Sequence, residues 1–413
     1  MKKIALVSLI ASSVLMAGGY KIPETSTNAV ALGAANIAHN HENADAAYYN
    51  PAKMVFMKDQ NYLEVDAMYI GLDKIKYTGT VASTGPYSLK SEKEDFFVPS
   101  LNYVSSKVGE HNARVGISVT VPGGLSKRWK TAPAKTFAEE FTLEVVEINP
   151  TIAIQLSENL GFAAGFRIVD AEGVVKSNGV MNIPTLGGLG TASRDMTGDT
   201  VDTGYNLALA YQGTDLELGL TYRSKVNLSV EGNANLTTSY LGGSVYNSKA
   251  SVSIPLPAAL SLAAAYNFTP NTTVEFVYEK NYWSAYKSLD FDYDGTEGVA
   301  LGAIFGSPIS KNWKDTIAYR LGVTHKMDKT TLMAGIVIDE TPVPDATIGF
   351  ELPDSDSISV SLGGRYEVNN KLDIGLSGLY SMREDRTVNN ATLSGKFADS
   401  NVLLVSMGIG YKF

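Results

Sequence analysis

The last nine residues of the chain constrain its fold more than any other segment. From Val405 to Phe413, every odd position carries an apolar or aromatic side chain and every even position a small or polar one. Successive side chains of a β-strand point to opposite faces, so this alternation describes a strand with one face in hydrocarbon and the other in a polar interior. The terminus predicts an all-β membrane protein, and we expect the barrel-assembly machinery to bind this last strand.

The beginning of the chain carries an export signal. Lys2 and Lys3 precede an apolar run over residues 4–15, and small residues follow at Ala17, Gly18 and Gly19. This order of regions is that of a secretory signal peptide, which we place at residues 1–17. The alternative is an uncleaved anchor, but a spanning helix needs roughly 18–20 apolar residues, more than this run provides.

Composition excludes several classes of protein. The chain has 413 residues, no cysteine and a formal net charge of −9, so we predict no disulfide, no thiol chemistry and no nucleic-acid partner. No later segment has the apolar length of a membrane helix, which argues against a helical inner-membrane protein. No nucleotide or metal motif occurs, and we expect no cofactor.

Fourteen segments show the period of two that is typical of strands, and bacterial barrels have an even number of strands. Short turns alternate with long polar loops between them, which predicts a bacterial outer-membrane barrel with both termini in the periplasm. The predicted strands cover residues 62–77, 96–107, 114–121, 142–156, 160–176, 200–212, 215–230, 250–268, 272–283, 316–327, 331–339, 357–368, 372–382 and 401–413.

Parity along these strands assigns their two faces. Ile358, Val360 and Leu362 alternate with Ser359 and Ser361, and the apolar set must face lipid. Tyrosines gather near both ends of the strands, as the aromatic girdles of such a barrel do. A soluble β-sandwich is the alternative, but it would not explain the girdles, the signal and the terminal phenylalanine together. We predict an antiparallel transmembrane barrel of about fourteen strands over residues 61–413.

The segment before the first strand, residues 18–60, has no strand period. Its alanine-rich stretches at residues 28–38 and 44–48 predict short helices. Such a segment either hangs in the periplasm or folds inward. We predict a small, mostly helical hatch inside the lumen, because so few and such small side chains fit the bore of roughly fourteen strands.

Short motifs in the same order as those of a known family are distributed over the chain. They are GYKIPE (19–24), ADAAYYNPA (44–52), INP (148–150), YWSAY (282–286), NWKDTIAYRLG (312–322), DETPVPD (339–345), LPD (352–354) and LGGRY (362–366). In these residues the sequence resembles the FadL family of outer-membrane long-chain fatty-acid transporters, which also contains TodX-type channels for aromatic hydrocarbons. The first two motifs hold the hatch residues Tyr20, Asn50 and Pro51; we favour a turn-forming role for Asn50 over a ligand contact.

The resemblance implies a mechanism. Extracellular loops collect a hydrophobic small molecule, a lumenal pocket holds it, and movement of the hatch passes it through a lateral gap in the third strand to outer-membrane lipid. The resemblance implies a monomer, and transport would be passive. An apolar ligand gains about 0.8 kcal/mol for each buried methylene, so it profits from an oily passage.

Three groups of residues are candidates for these roles. Val121-Pro122-Gly123-Gly124 ends the third predicted strand, where proline withholds a ladder donor, and Gly116 is a second candidate for a kink. A Pro-Gly pair can equally be an ordinary turn. Candidates for an apolar capture surface are Leu125, Trp129, Phe137, Leu301, Ile304 and Phe305, which could instead pack loop against loop.

Lumen-facing cations form the third group. By family analogy, Arg167 and Lys314 occupy positions from which a cation could meet a ligand carboxylate, and parity places Arg320 in the lumen as well. Acidic residues share the same face. Mixed charges favour the alternative that they form a hydrogen-bonded network between wall and hatch.

Two other functions are weighed against transport. An enzyme would need a histidine near hydroxyls or carboxylates at the outer rim, and none of His39, His41, His111 and His325 is predicted there, so we expect no catalysis. A general diffusion porin would not need a hatch. We predict passive uptake of long-chain fatty acids, with aromatic or alkane uptake as the alternative.

Overall fold

The computed structural model describes residues 18–40, 42–109 and 112–413; the predicted signal peptide, residues 1–17, lies outside the described residues. No helix in the described part is long and apolar enough to cross a membrane. The helices are α1 (Thr27–Leu32), α2 (Ala46–Tyr49), α3 (Ala134–Ala138) and α4 (Val299–Phe305), with 3₁₀ helices at Pro51–Phe56, Pro184–Leu186, Tyr240–Gly242 and Trp283–Ala285.

Most of the described chain is strand. The strands of the main sheet are β1 (Tyr62–Leu72), β4 (Glu94–Val104), β5 (Arg114–Arg128), β6 (Glu140–Ser157), β7 (Leu160–Ile183), β8 (Gly188–Gln212), β9 (Leu216–Arg223), β10 (Val226–Thr238), β11 (Ser244–Leu256), β12 (Ala259–Thr269), β13 (Thr272–Asn281), β15 (Phe291–Tyr293), β17 (Thr316–Met327), β18 (Thr330–Asp339), β19 (Ser357–Glu367), β20 (Leu372–Arg383) and β23 (Val402–Lys412). The others are β2 (Lys76–Val81), β3 (Thr84–Lys90), β14 (Ser288–Leu289), β16 (Ile309–Ser310), β21 (Arg386–Asn389) and β22 (Leu393–Ala398).

The main sheet closes on itself. β1 pairs antiparallel with β4 on one side and with β23 on the other, so the first and last strands are neighbours. β9 continues into β10 and β11 into β12 after short breaks, and each pair counts as one barrel strand. β15 is a three-residue segment of the connection between β13 and β17 that pairs with β11, and it does not count as a barrel strand. The described chain therefore forms a closed barrel of fourteen antiparallel strands, and the predicted fold is confirmed.

The two ends of the barrel differ. At the turn end, where β1 begins and β23 ends, most connections are tight turns. At the loop end, small sheets formed by β2, β3, β21 and β22, and by β14 and β16, cover the opening together with α3 and α4. The strand faces follow the predicted parity, since Leu362 is 71% exposed and Ser361 is 5% exposed.

Several predicted boundaries at the loop end are wrong. The third barrel strand was expected over residues 114–121, but β5 continues to Arg128, and the long loop expected after residue 176 is a hairpin of β7 and β8. The segments predicted at 215–230 and 250–268 are each interrupted. Beyond the lipid belt neither face of a strand meets hydrocarbon, so the ladder continues after the apolar alternation has ended.

The segment before β1 lies inside the barrel. Helix α1 begins after Ser26, whose Oγ accepts a hydrogen bond from Ala29 N at 3.1 Å, and it ends at Gly33 in a left-handed conformation. The helix packs against β18, β19 and β20. A Cβ on Gly335 of β18 would lie 2.4 Å from the carbonyl carbon of Leu32, so a glycine is required for this close approach.

Candidate functional site

Buried ion pairs join the hatch, residues 18–60, to the barrel wall. Arg320 of β17 donates to Glu24 of the hatch at 3.2 Å, to the carbonyl of Gly33 at 2.9 Å and to Glu279 of β13 at 3.3 Å. Lys21 of the hatch binds the same Glu279 at 2.8 Å. Arg320 is only 2% exposed, so these charges satisfy one another away from water.

A second set of contacts lies nearer the turn end. Glu275 accepts hydrogen bonds from the backbone amides of Ile37, Ala38 and His39 at 2.7, 2.7 and 3.0 Å. Lys53 of the hatch meets Glu217 of β9 at 2.5 Å. These contacts form the hydrogen-bonded network between wall and hatch that the mixed charges of the lumen predicted. Arg320 is part of this network.

Asn50 and Pro51 shape the hatch itself. The side chain of Asn50 accepts a hydrogen bond from Ala52 N and donates to the carbonyls of Ile37 and Leu209 at 2.9 and 3.2 Å. Pro51 is the first residue of the 3₁₀ helix, where its missing N–H costs nothing. Asn50 therefore forms a turn and also attaches that turn to β8.

The ladder between β4 and β5 is incomplete. β1 pairs with β4 along its whole length, whereas β4 pairs with β5 only from Leu101 opposite Val119 to Val104 opposite Gly116. Nearer the loop end the two strands meet again, where Ser126 donates to Glu94 at 2.9 Å. Between these points lies an unpaired stretch of wall, which we call the window: residues 95–100 of β4 and 120–124 of β5.

The hatch occupies the hydrogen-bonding positions that β5 withholds from β4. Ile22 N donates to the carbonyl of Pro122 at 2.9 Å, and Gly124 N donates to the carbonyl of Tyr20 at 2.7 Å. The β5–β6 register also shifts between Thr120 and Gly123. A Cβ on Gly123 would lie 2.8 Å from the carbonyl oxygen of Tyr20, so the hatch can approach only because residue 123 is glycine.

An apolar cavity lies directly behind the window. Tyr20 and Leu125 line it with Trp313 and Leu352, and Tyr20 is held by a 2.5 Å hydrogen bond from its hydroxyl to the carbonyl of Pro255. The ring of Tyr20 packs edge-on against Trp283 with centroids 4.6 Å apart. The cavity volume is about 20 Å³, so this inner cavity is nearly filled by side chains in the present conformation.

A larger groove opens toward the loop end. Phe137 of α3 and Ile304 and Phe305 of α4 line this outer groove, whose volume is about 390 Å³. Three predicted capture residues therefore come together there. The outer groove and the inner cavity share Phe141, Lys311, Thr347 and Glu351, so the two spaces are neighbours.

Lys311 is a functional candidate that the sequence analysis missed. Its ammonium lies 2.5 Å from the carboxylate of Glu351, and Lys311 is only 4% exposed. Burial opposes ionisation of Glu351, but the charge and hydrogen bond of Lys311 outweigh burial and hold the pKa of Glu351 below its ordinary value. Lys311 lies in an irregular connection, where strand parity cannot predict whether a side chain faces the lumen. The only sequence signal near it was the NWKD motif that follows it.

Other predicted ligand residues lie elsewhere. Arg167 is buried against Glu147 at 2.7 Å, and Arg223 binds the same carboxylate, so Arg167 has an anionic partner already. Lys314 is exposed, and its amide donates to the carbonyl of Pro342. Neither residue lines the outer groove or the inner cavity.

The remaining candidates have structural contacts. Trp129 is fully buried and donates from Nε1 to the carbonyl of Phe350 at 2.8 Å, and Leu301 of α4 is fully buried as well. The predicted kink at Gly116 is wrong, because Gly116 pairs regularly with Val104 and Thr151. Among the described residues, no cluster of His, Asp and Glu could hold a metal ion.

A comparison with known families decides where this barrel belongs. The family profile described as Outer membrane protein transport protein (OMPP1/FadL/TodX) matches residues 8–413. The chain belongs to this family. The FadL/TodX assignment agrees with the resemblance read from the hatch and loop motifs, which is thereby confirmed.

Individual relatives cover almost the whole chain. The long-chain fatty acid transport protein of Escherichia coli O6:H1 is 23% identical over 447 residues, covering 99% of this chain and 98% of that protein. Outer membrane protein P1 of Haemophilus influenzae is 23% identical over 468 residues, covering 98% and 99%.

Solved structures share the fold. A Pseudomonas aeruginosa FadL homologue superposes with a TM-score of 0.83 at 20% identity, covering 95% of this chain and 99% of the homologue. The P. putida toluene transporter TodX gives a TM-score of 0.74 at 18% identity, covering 94% and 98%. Both solved structures therefore share the fold of this barrel over nearly the whole chain.

Proposed function

We propose that this protein is a passive outer-membrane channel for hydrophobic molecules, with long-chain fatty acids as the favoured cargo. The loop end faces the cell exterior and both termini face the periplasm. A ligand enters the outer groove, passes Lys311 and Glu351 into the inner cavity, and leaves sideways through the window when residues 20–22 move. No catalytic step is involved.

One observation carries this proposal: the hatch fills a gap in the wall that borders an apolar cavity. A gap in a ladder exposes unsatisfied backbone groups to lipid, which is costly unless another segment satisfies them. Here the segment that satisfies the carbonyl of Pro122 and the amide of Gly124 belongs to the hatch and not to the wall. Displacing it would open a lateral route without breaking any barrel ladder.

Two observations favour a fatty acid, although aromatic hydrocarbon uptake remains the second candidate. Lys311 provides a cation beside the inner cavity, and the E. coli relative is named for long-chain fatty acids. The structural likeness to the toluene transporter TodX supports the aromatic alternative. A neutral hydrocarbon would have no use for Lys311.

A reversible crosslink tests the route. Lys21 and Gly123 are bridge partners between hatch and β5, and the chain has no cysteine of its own. In the Lys21→Cys, Gly123→Cys double variant, we expect oxidation to stop transfer of radiolabelled oleate from the barrel to lipid vesicles while binding persists, and reduction to restore transfer. A side chain at position 123 displaces the carbonyl of Tyr20 in both redox forms, so the reduced form of the same molecule is the matched control. Transfer that oxidation leaves unchanged would refute lateral release.

A further inference from the structure

The outer groove contains a positive charge that the groove itself does not balance. Its ionisable lining residues are Arg194, Lys311 and Glu351. Lys311 and Glu351 neutralise each other at 2.5 Å, which leaves the guanidinium of Arg194. Among the described residues, no carboxylate forms an ion pair with Arg194.

Arg194 is buried and, in the described part of the chain, has no carboxylate in ion-pair contact; its polar neighbours are the hydroxyl of Tyr293, which hydrogen-bonds to it, and Glu351 at longer range. Arg194 lies on the loop-end extension of β8, is 8% exposed, and its Nε has no hydrogen-bond acceptor. Removing an ion from water costs several kcal/mol unless a partner compensates for the lost hydration. A buried cation that faces a groove and has no carboxylate in contact, while the nearby Glu351 is engaged by Lys311, is suited to an anionic ligand.

Aromatic rings provide partial compensation. The guanidinium carbon of Arg194 lies 5.1 Å from the ring centre of Phe291 and 5.6 Å from that of Phe305. Burial lowers the pKa of Arg194 and the nearby Tyr293 opposes this effect, but a guanidinium stays protonated at physiological pH. Ring contacts hold the cation in place without giving its Nε an acceptor oxygen.

We propose that Arg194 determines specificity in the outer groove by binding the carboxylate head group of an amphipathic ligand. Phe137, Ile304 and Phe305 contact the beginning of the apolar tail. This inference rests on the proposed function and narrows its cargo to anionic amphiphiles. Lys311 lines both the outer groove and the inner cavity, so further along the route the head group would have to compete with Glu351 for this cation.

Paired ligands that differ only in charge test the role of Arg194. We would measure equilibrium binding of radiolabelled dodecanoate and of 1-dodecanol to the full chain in nonionic detergent. For Arg194→Met, which keeps an unbranched apolar stem, we expect dodecanoate to bind about tenfold or more weakly, while dodecanol affinity changes less than about twofold. Arg194→Lys keeps the charge and should retain part of the preference.

Controls separate a local contact from a general loss of charge or fold. Lys396→Met removes an exposed loop-end cation that pairs with Asp385, and it should leave both ligands unaffected. Each variant must migrate as a folded barrel in unboiled electrophoresis. Because Arg194→Lys preserves the cation, it supplies the comparison if the methionine variant does not fold.

The possible outcomes have different meanings. If wild-type protein binds both ligands and Arg194→Met weakens both equally or neither, Arg194 is a packing residue and this inference is overturned while the channel stands. If wild-type protein binds neither ligand, the proposed function and the inference both fail. Selective loss of dodecanoate supports the proposal.

Discussion

The hatch is attached to the barrel in two different ways. In the lumen, buried side-chain charges such as Arg320 with Glu24 and Lys53 with Glu217 hold it against strands whose ladders are regular. At the window it is held through backbone hydrogen bonds to Pro122 and Gly124, beside a ladder that is interrupted. Side-chain pairs fix the hatch as a body, whereas peptide groups close the wall at the edge that moves in the proposed mechanism.

Removing the hatch should eliminate both attachments at once and have the largest effect. Deletion of residues 18–53 takes away the charges that neutralise the wall and leaves a water-filled bore. We expect steady ion conductance in planar bilayers from the deletion variant and none from the intact protein. A general diffusion porin would conduct in both forms, so steady current through intact protein would contradict the proposal.

Breaking one lumenal attachment should have the next largest effect. Arg320→Met leaves Glu24 and Glu279 buried with less positive charge, and breaking a buried pair costs about 3–5 kcal/mol. We expect the hatch to be cleaved much faster by added protease. Lys326→Met on the same strand is the matched control, because its pair with Glu367 is exposed and worth at most about 1 kcal/mol.

The fold of the hatch itself should also respond to pH through Asp45, whose hydrogen bonds are to other hatch residues. Burial raises the pKa of Asp45 to about 6, and the negative charge of Glu64 acts in the same direction. Hydrogen bonds from Ser26 and Asn36 and the positive charge of Arg365 lower the pKa, but they do not outweigh burial. When folding raises the pKa of an acid, the folded state is most stable at low pH. Its stability falls as the pH rises from the pKa of the unfolded chain through the folded pKa of about 6. Protease should therefore cut the hatch faster at pH 8 than at pH 5, by an amount worth up to about 2 kcal/mol.

Asp45→Asn isolates this contribution from other buried carboxylates, since it keeps the hydrogen-bonding shape and cannot ionise. We expect the variant to show a weaker pH dependence of cleavage than the wild type. Identical pH profiles for the two proteins would show that Asp45 does not carry the effect.

Adding a single methyl group at the window should have the smallest effect, because it weakens the backbone attachment and leaves the lumenal side-chain pairs in place. In Gly123→Ala the new methyl group meets the carbonyl oxygen of Tyr20 at 2.8 Å, so the backbone contact must lengthen. We expect ligand transfer to vesicles to become a few-fold faster, equivalent to about 1 kcal/mol. In Gly378→Ala, where the nearest atom lies 3.6 Å away, the rate should not change.

Much of the barrel could be predicted from the sequence because lipid imposes a simple rule. Residues such as Leu362 and Ser361 alternate wherever one face meets hydrocarbon, and this gave the strand number and the lumen face. The extensions of β7 and β8 were missed because no such rule operates beyond the lipid. Arg194 lies in that extension and was missed with it.

The candidate site was predictable only in part. Phe137, Ile304 and Phe305 stood out as apolar residues in polar loops, and Pro122 with Gly123 as residues that disturb a strand. Lys311 lies in a connection without periodicity, and its partner Glu351 is 40 residues away, so their pairing depends on how two loops fold over the barrel. The window similarly depends on the path of the hatch, which no local pattern encodes.

The closure at Pro122 and Gly124 uses main-chain atoms, and the side-chain requirement described for it is the glycine at position 123. Substitutions of groove side chains can therefore change which ligand binds without changing these backbone contacts. Ligand specificity can thus change in evolution through the groove, while the backbone closure of the window stays the same.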